Sequence, residues 1–129
     1  NARAPHLLVR AAAALLRETG GGVVNIADLG AFQPWTEHPH HAVSKAALVH
    51  LTRIQARVLA PEVRVNAVAP GAVLLPESWS EARAEARARA AALKRLGSPE
   101  DVVEAVLYLV RARFVTGEVL AVDGGARLG

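Results

Sequence analysis

The chain has 129 residues, 52% of them hydrophobic and 21% charged, and a formal net charge of +3 at pH 7. This length suits one domain with a buried core, and the hydrophobic content excludes an intrinsically disordered chain. Because the sequence contains no cysteine, a disulfide framework and a thiolate metal site are excluded, and we expect a protein of the reducing cytoplasm.

Neither a membrane span nor a nucleic-acid interface is indicated. The longest apolar run, 102–110, is interrupted by Glu104 and is shorter than the roughly 18 residues that a spanning helix needs. The arginines are scattered or interleaved with glutamate, and no DNA-reading motif accompanies them. A solvated basic surface therefore explains them better than a nucleic-acid partner does.

The first predicted element is a helix over 1–16, followed by three glycines at 20–22 that free the chain to turn. Apolar residues at helical spacing are expected to share its inward face: Leu7, Leu8, Ala11, Ala12, Leu15 and Leu16. Residues 23–27, VVNIA, then predict a short strand buried on both faces. Because the helix is already in progress at residue 1 and the sequence has no methionine, we expect a piece of a longer chain.

The alternation continues through the middle of the chain. Residues 30–39 form an irregular stretch with two prolines and two aromatic residues, and a second helix is predicted over 40–59. Residues 63–69, VRVNAVA, predict the next strand, which ends at Pro70 and Gly71.

Two further helices and a strand complete the chain. An alanine-, glutamate- and arginine-rich stretch predicts a helix over 77–95. Ser98 is expected to cap the next helix, with Pro99 at its first position and two acidic residues in its first turn. The inward residues of that helix are expected to be Val102, Val103, Val106, Leu107 and Val110. Residues 118–122, EVLAV, predict the last strand.

Strands that alternate with helices predict an α/β fold, a Rossmann-like doubly wound parallel sheet with helices on both faces. Ligands of such sheets bind beyond the carboxyl ends of the strands. The first strand delivers Asp28 to that end, and His41 and Lys45, four residues apart, share one face of the next helix. The second strand delivers Pro70 and Gly71, where a rigid turn and a bare backbone permit close approach of a ligand.

Simpler explanations stay open for several of these residues. Asp28 could be a turn former only, and Lys45 a solvated helix lysine. Trp35 and Phe32 are expected to pack within their own loop. The arginines of the 77–95 helix are expected to form a solvated face.

Three histidines could attract a metal ion: His38, His40 and His41. No cysteine accompanies them, and the nearest acidic residue, Glu37, lies in an irregular loop. We therefore predict no metal site.

Five segments together resemble the second half of the short-chain dehydrogenase/reductase family, in the family's order and at its spacing: VVNIAD, HAVSKAALVHLTR, VRVNAVAPGAV, RLGSPEDVVEAVLYLV and VTGEVLAVDGG. The resemblance covers essentially the whole chain and implies that residues 1–129 are the C-terminal portion of a single Rossmann domain. The half that grips the cofactor's pyrophosphate in the family would then lie upstream of Asn1.

Within that family the chain is most similar to the pteridine reductases. The similarity rests on Asp28, where most members have serine, and on the stretch PGAVLLPE at 70–77. It implies an enzyme that reduces a pterin or a related carbonyl or imine with NADPH, with NADH not excluded. It also implies a homo-oligomer, a dimer or tetramer, formed through the helices at 1–16 and 40–59.

The resemblance assigns catalytic roles to three matching positions. Lys45 matches the lysine that hydrogen-bonds the nicotinamide ribose and lowers the pKa of the family's catalytic tyrosine. Asp28 matches the aspartate that joins the tyrosine in protonating the substrate. Asn1 matches an asparagine that holds a water molecule in the proton relay.

Cofactor contacts are implied in the loop after the second strand. In the family the backbone that follows Pro70 and Gly71 binds the nicotinamide carboxamide, which makes Val73 a cofactor contact. The usual threonine two residues further on is Leu75 here, so one hydroxyl contact to the cofactor is missing.

The chain departs from the family at its principal acid, because the tyrosine position holds His41. Histidine is a competent general acid near neutral pH. Imidazole is shorter than phenol by roughly 2 Å, however, and misplacements of about 1 Å can cost on the order of a hundredfold in rate. Two hypotheses follow: an active reductase in which His41 acts with Asp28, or a catalytically impaired relative that serves as a dimerisation or scaffold partner.

Overall fold

A computed structural model describes residues 2–128 of the chain. The helices are α1 (Arg3–Thr19), α2 (Pro39–Leu59), α3 (Glu81–Ala90) and α4 (Pro99–Arg111), and the strands are β1 (Gly22–Ile26), β2 (Arg64–Pro70) and β3 (Val119–Val122). Single 3₁₀ turns follow β1 and β3, at Leu29–Ala31 and Ala126–Leu128. The predicted order of elements is confirmed, with boundaries shifted by at most three residues except at α3.

The three strands form one parallel sheet in the order β1-β2-β3. Gly22 of β1 pairs with Arg64 of β2, and Pro70 of β2 pairs with Val122 of β3. Since all three strands run the same way, their carboxyl ends meet at one edge of the sheet. The Rossmann-like parallel sheet that the sequence predicts is therefore confirmed for the strands of this chain.

Helices cover both faces of the sheet. On one face, Val65 and Ala67 of β2 pack with Val49 and Ala56 of α2, and α1 adds Val9. Because side chains alternate along a strand, Val68 points to the opposite face, where α4 contacts all three strands. Residues 65–69 are buried. The prediction that the first strand is buried on both faces is wrong for β1. Its Ile26 is 50% exposed, and within residues 2–128 this strand is paired on one side, by β2.

The prediction of which α1 residues face inward is wrong in part. Val9 is the buried residue of this helix, and Ala13 and Leu16, at four- and seven-residue spacing, pack beside it. Most of the predicted stripe faces outward, with Leu8 69% exposed and Leu15 63% exposed. The helix carries apolar residues on more than one side, so its rotation was decided by the fit of Val9 between α2 and the sheet.

The cap of α4 is confirmed. Ser98 Oγ accepts a hydrogen bond from Asp101 N at 3.4 Å, and Asp101 Oδ2 accepts one from Ser98 N at 2.8 Å, so two backbone amides at the helix start are satisfied. The predicted inward face of α4 is wrong at three positions: Val103, Leu107 and Val110. These are 41–54% exposed, and the helix instead buries Leu109.

The predicted helix over 77–95 is shorter in the structure. The Ser80 side chain accepts a hydrogen bond from Arg83 N, which places the helix start at residue 81. At the other end Ala91 is extended, with ψ at 143°, and is itself buried. Helix propensity alone would continue the helix to Arg95, but burial of Ala91 against the sheet end stops it. Within residues 2–128, no helix has the length and apolarity required to cross a bilayer.

Candidate active site at the carboxyl edge of the sheet

The carboxyl edge of the sheet brings together groups from β1, β2 and α2. Ala27 N donates to Val68 O at 2.7 Å, so β1 and β2 are still paired immediately before Asp28. The chain then makes one 3₁₀ turn and an irregular loop before α2 begins at Pro39. That path returns the first turns of α2 to the end of β1.

Asp28 uses its two carboxylate oxygens differently. Oδ1 accepts a 2.6 Å hydrogen bond from Gly30 N and so caps the 3₁₀ turn, which confirms the turn-forming role considered for this residue. Oδ2 lies 3.6 Å from His41 Nε2. The carboxylate is thus fixed by the backbone while its second oxygen faces the imidazole.

His41 lies in the first turn of α2, and its side chain is 35% exposed. The 3.6 Å separation from Asp28 is longer than a hydrogen bond and is an electrostatic contact. The imidazole also stacks on Trp35, with ring centroids 6.0 Å apart and planes inclined by 10°.

Lys45 lies one turn after His41 on the same face of α2. Its Nζ donates a 2.8 Å hydrogen bond to Ile26 O, near the end of β1. The structure therefore brings Asp28, His41 and Lys45 together at one edge of the sheet. They place a carboxylate, an imidazole and an ammonium group, each partly buried, at the same edge.

The loop after β2 approaches the end of β3 closely. Gly71 N donates to Val122 O at 2.9 Å. A Cβ atom at Gly71 would lie 2.9 Å from the Asp123 Cα, so a side chain at this position would displace backbone. Further along, Val73 packs its Cγ2 against Gly97, where an added Cβ would also lie at 2.9 Å. These close approaches fix the path of residues 70–73 beside the carboxyl edge.

Two further sequence predictions concern Asn1 and a metal site. Asn1, expected to hold a water molecule in the relay, falls outside residues 2–128. For the metal question, residues 2–128 contain no group of three or more histidine or acidic side chains placed to hold an ion. His38 and His40 stand edge to face, with ring centroids 6.5 Å apart.

The main feature that sequence reasoning missed is the stack of Trp35 on His41. The loop containing Trp35 has no periodicity, so the sequence alone indicates only packing within the loop. Gly30 was missed for the same reason: an added Cβ there would lie 3.1 Å from Asp28 Oδ1 and 3.2 Å from the Trp35 ring. A glycine two residues after a strand-end aspartate is the only sequence signal of that tight approach.

The start of α3 also reaches this loop. Arg83 Nη2 lies 3.5 Å from Glu37 Oε2, and the Arg83 guanidinium lies 4.3 Å from the centre of the Trp79 ring. The ion pair is exposed, at 48% for Arg83 and 74% for Glu37. It links the segment before α2 to the predicted solvated arginine face.

The groups at this edge fit a nicotinamide cofactor in their chemistry. Lys45 Nζ is a donor for ribose hydroxyl groups, and its present partner is a backbone carbonyl at the end of β1. The backbone of 70–73 offers amide and carbonyl groups of the kind that a carboxamide requires. These residues lie where open parallel sheets bind their ligands.

Comparison with known proteins identifies relatives along nearly the whole chain. The family model described as enoyl-(acyl carrier protein) reductase matches residues 1–127. A Streptomyces violaceoruber protein, named as a candidate ketoacyl reductase of the granaticin polyketide synthase, is 43% identical over 88% of this chain and 47% of its own length. Dihydromonapterin reductase of Klebsiella pneumoniae is 38% identical over 97% of this chain and 53% of its own.

Solved structures also resemble this chain along nearly its whole length. The structure of 4-hydroxyisoleucine dehydrogenase complexed with NADH superposes with a TM-score of 0.90 at 32% identity. The match covers 98% of this chain and 56% of that one. The chain thus spans about half the length of the relatives it matches.

Proposed function

The chain belongs to the short-chain dehydrogenase/reductase family, and from that premise we propose that the whole protein is a nicotinamide-dependent reductase of a pterin or a related carbonyl or imine. The convergence of Asp28, His41 and Lys45 at the carboxyl edge supports this proposal most directly. Residues 1–129 would form the C-terminal portion of its single Rossmann domain. The absence of cysteine agrees with a cytoplasmic location.

The pterin assignment rests on two observations. Asp28 occupies the strand end where the pteridine reductases have aspartate, and its Oδ2 faces the candidate proton donor at 3.6 Å. Several similar proteins are named dihydromonapterin reductase, among them the Klebsiella relative. NADPH is the cofactor we propose, by likeness to the pteridine reductases. NADH stays an alternative, since a similar structure is a complex with NADH.

In the proposed mechanism, the residues of this chain hold the cofactor and move one proton. When bound, the reduced nicotinamide supplies a hydride to the carbon of the C=N or C=O bond. Lys45 Nζ would hold the ribose hydroxyls, and the backbone at Pro70, Gly71 and Val73 would hold the carboxamide. Asn1 would hold a water molecule of the proton relay.

Protonated His41 would deliver its Nε2 proton to the nitrogen or oxygen of the same bond, so that hydride and proton together saturate it. His41 is left neutral by this transfer. Asp28 Oδ2, which faces Nε2 at 3.6 Å, would orient the imidazole in this step. The hydrogen bond that Oδ1 accepts from Gly30 N keeps the carboxylate in place.

A homo-oligomer formed through α1 and α2 is part of the proposal. Large apolar side chains are exposed on both helices: Leu7, Leu8, Leu15, Val43, Ile54 and Val58. Exposed apolar surface on two adjacent helices is typical of an interface between subunits. The non-catalytic scaffold hypothesis uses the same surface. It is the less favoured one, since similar proteins are named as reductases and the site groups converge.

The proposal is tested with the intact protein in an assay that follows NADPH oxidation in the presence of a dihydropterin. Asp28→Asn and Lys45→Met should each lower kcat/KM by roughly a hundredfold or more, as for other groups that transfer protons or hold the cofactor. Glu104→Gln, an exposed change on α4, serves as the control and should retain wild-type activity. Wild-type rates in both site variants would overturn the proposal.

A further inference from the structure

Four residues at the candidate site contact one another in a closed ring. Asp28 Oδ1 accepts a hydrogen bond from Gly30 N at 2.6 Å. Gly30 lies directly under Trp35, since a Cβ atom on it would be 3.2 Å from the indole carbons Cδ2 and Cε3. Trp35 stacks on His41, and His41 Nε2 faces Asp28 Oδ2 at 3.6 Å, which completes the ring.

Trp35 is itself held in place from two sides. Its backbone N donates to Gln33 O at 3.0 Å, and its Nε1 lies 3.5 Å from Gln33 Oε1. The Gln33 side chain in turn donates from Nε2 to Ala126 O at 3.3 Å. The indole is thus tied to the segment after β3 as well as to its own loop.

His41 needs such a constraint because little else orients its ring. The residue lies in the first turn of α2, its side chain is 35% exposed, and the distance to Asp28 exceeds a hydrogen bond. An imidazole in that situation samples several side-chain rotamers. The nearly parallel indole, inclined by 10°, limits rotation of the ring plane and keeps Nε2 towards the carboxylate.

We propose that Trp35 is a positioning residue for His41: its indole, seated on Gly30, holds the imidazole in the orientation that faces Asp28 and the substrate. The inference rests on the proposed function of His41 as proton donor. Trp35 touches neither cofactor nor reacting atoms in this account. The flat surface of an aromatic ring is the property required, so phenylalanine should substitute for it and alanine should not.

The test compares Trp35→Phe and Trp35→Ala in the intact protein, assayed with NADPH and a dihydropterin. Trp35→Ala should lower kcat by roughly tenfold to a hundredfold, because displacement of a catalytic group by about 1 Å has effects of that order. The KM for NADPH should stay unchanged, since Lys45 and the 70–73 loop are untouched. Trp35→Phe should retain most of the wild-type kcat. Phe32→Ala, an exposed aromatic change in the same loop, is the matched control.

A second measurement separates this inference from the proposed function. In a His41→Gln background, Trp35→Ala should cause no further loss of kcat, because residues that act as a unit are not additive. An equal loss in both backgrounds, or a Trp35→Phe variant as impaired as Trp35→Ala, would overturn the positioning role. If His41→Gln alone retained full activity, the proposed role of His41 as proton donor would be contradicted, and the positioning role of Trp35 would be lost with it.

Discussion

His41 Nε2 and Asp28 Oδ2 face each other across 3.6 Å at the carboxyl edge of the sheet. Asp28 lies two residues after β1 and His41 lies in the first turn of α2, with a 3₁₀ turn and an irregular loop between them. The pair places an imidazole, with a carboxylate beside it, at the position that we propose for the proton donor. This relationship makes residue 41 the most informative position for experiment.

Replacement of His41 should therefore test its proposed role as the proton donor. In the intact protein, His41→Gln should lower kcat for dihydropterin reduction by about a hundredfold or more, the usual contribution of a general acid. His41→Tyr should raise kcat above the wild-type value, because the longer phenol reaches further from the same backbone position towards the substrate. Steady-state kinetics with NADPH would measure both variants.

Glu104→Tyr, at an exposed position of α4, is the control for the aromatic substitution. Unchanged turnover in His41→Gln and His41→Tyr, alongside intact NADPH binding, would mean that the proton donor lies elsewhere. The reductase hypothesis would then require another proton donor, whereas a wild-type protein with no measurable turnover would favour the scaffold hypothesis.

The guanidinium of Arg64 closes the carboxyl end of α4, and its loss should destabilise the chain. Nη1 donates to Leu109 O and Ala112 O and Nη2 donates to Val110 O, each at 2.9 Å. Arg64→Met should lower the free energy of unfolding by about 1–3 kcal/mol, because three carbonyl groups lose their donor. Denaturant unfolding would measure the difference.

Lysine should not rescue this position, since one ammonium group cannot reproduce the planar fork of a guanidinium. Arg111→Met, an exposed change in the last turn of the same helix, should alter the unfolding free energy by less than about 0.5 kcal/mol. Equal effects of Arg64→Met and Arg111→Met would contradict the capping role of Arg64.

The cap of α4 should make stability depend on acid pH. The side-chain hydrogen bond from Arg95, followed by that from the Ser98 backbone, lowers the pKa of Asp101 from 3.8 to about 2. Because the folded value is the lower one, the ionised carboxylate stabilises the fold above about pH 4. That contribution declines as pH falls from about 4 towards 2.

Unfolding curves of the wild type and Asp101→Asn, recorded from pH 6 to pH 2, would check this. The wild type should be the more stable form near pH 6, and the difference should shrink below pH 4. Glu104→Gln, on the same helix but beyond its first turn, provides the control. A difference between wild type and Asp101→Asn that stayed constant over the whole range would show that ionisation of Asp101 does not matter.

The 129-residue chain should self-associate in solution through its exposed apolar helices. Leu8 of α1 is 69% exposed and Val58 of α2 is 65% exposed, and β1 leaves one strand edge unpaired within the described residues. Both features favour association with a second copy. Light scattering should give a mass above that of one chain, and a Leu8→Gln, Val58→Gln variant should shift the distribution towards monomer.

Phe114→Gln tests whether any exposed apolar residue would act in the same way, because Phe114 is fully exposed but lies after α4. It should leave the mass distribution unchanged. The isolated chain should also bind NADPH no tighter than about millimolar, because residues 1–129 contain no G-x-G-x-x-G motif to hold the pyrophosphate. A monodisperse monomer with micromolar NADPH affinity would contradict both expectations.

Sequence alone determined the features that depend on neighbouring residues or on the order of elements. Ser98, Pro99 and Asp101 specify the start of α4 locally, because a cap is made by side chains within one turn of the amides they satisfy. The alternation of helices and strands specified a parallel sheet. A helix between two strands carries the chain back to the end of the sheet where the first strand began, so the next strand runs in the same direction. That topology brought Asp28 and His41 to one edge.

Tertiary structure decided the features that depend on which of several apolar surfaces is covered. Helices α1 and α4 carry apolar residues around much of their circumference, so local sequence could not choose Val9 over Leu8 or Leu109 over Leu107. The choice followed from how each helix packs against the sheet, where only one rotation fills the space. The stack of Trp35 on His41 has the same origin, because an aperiodic loop is placed by long-range contacts such as the hydrogen bond from Gln33 to Ala126.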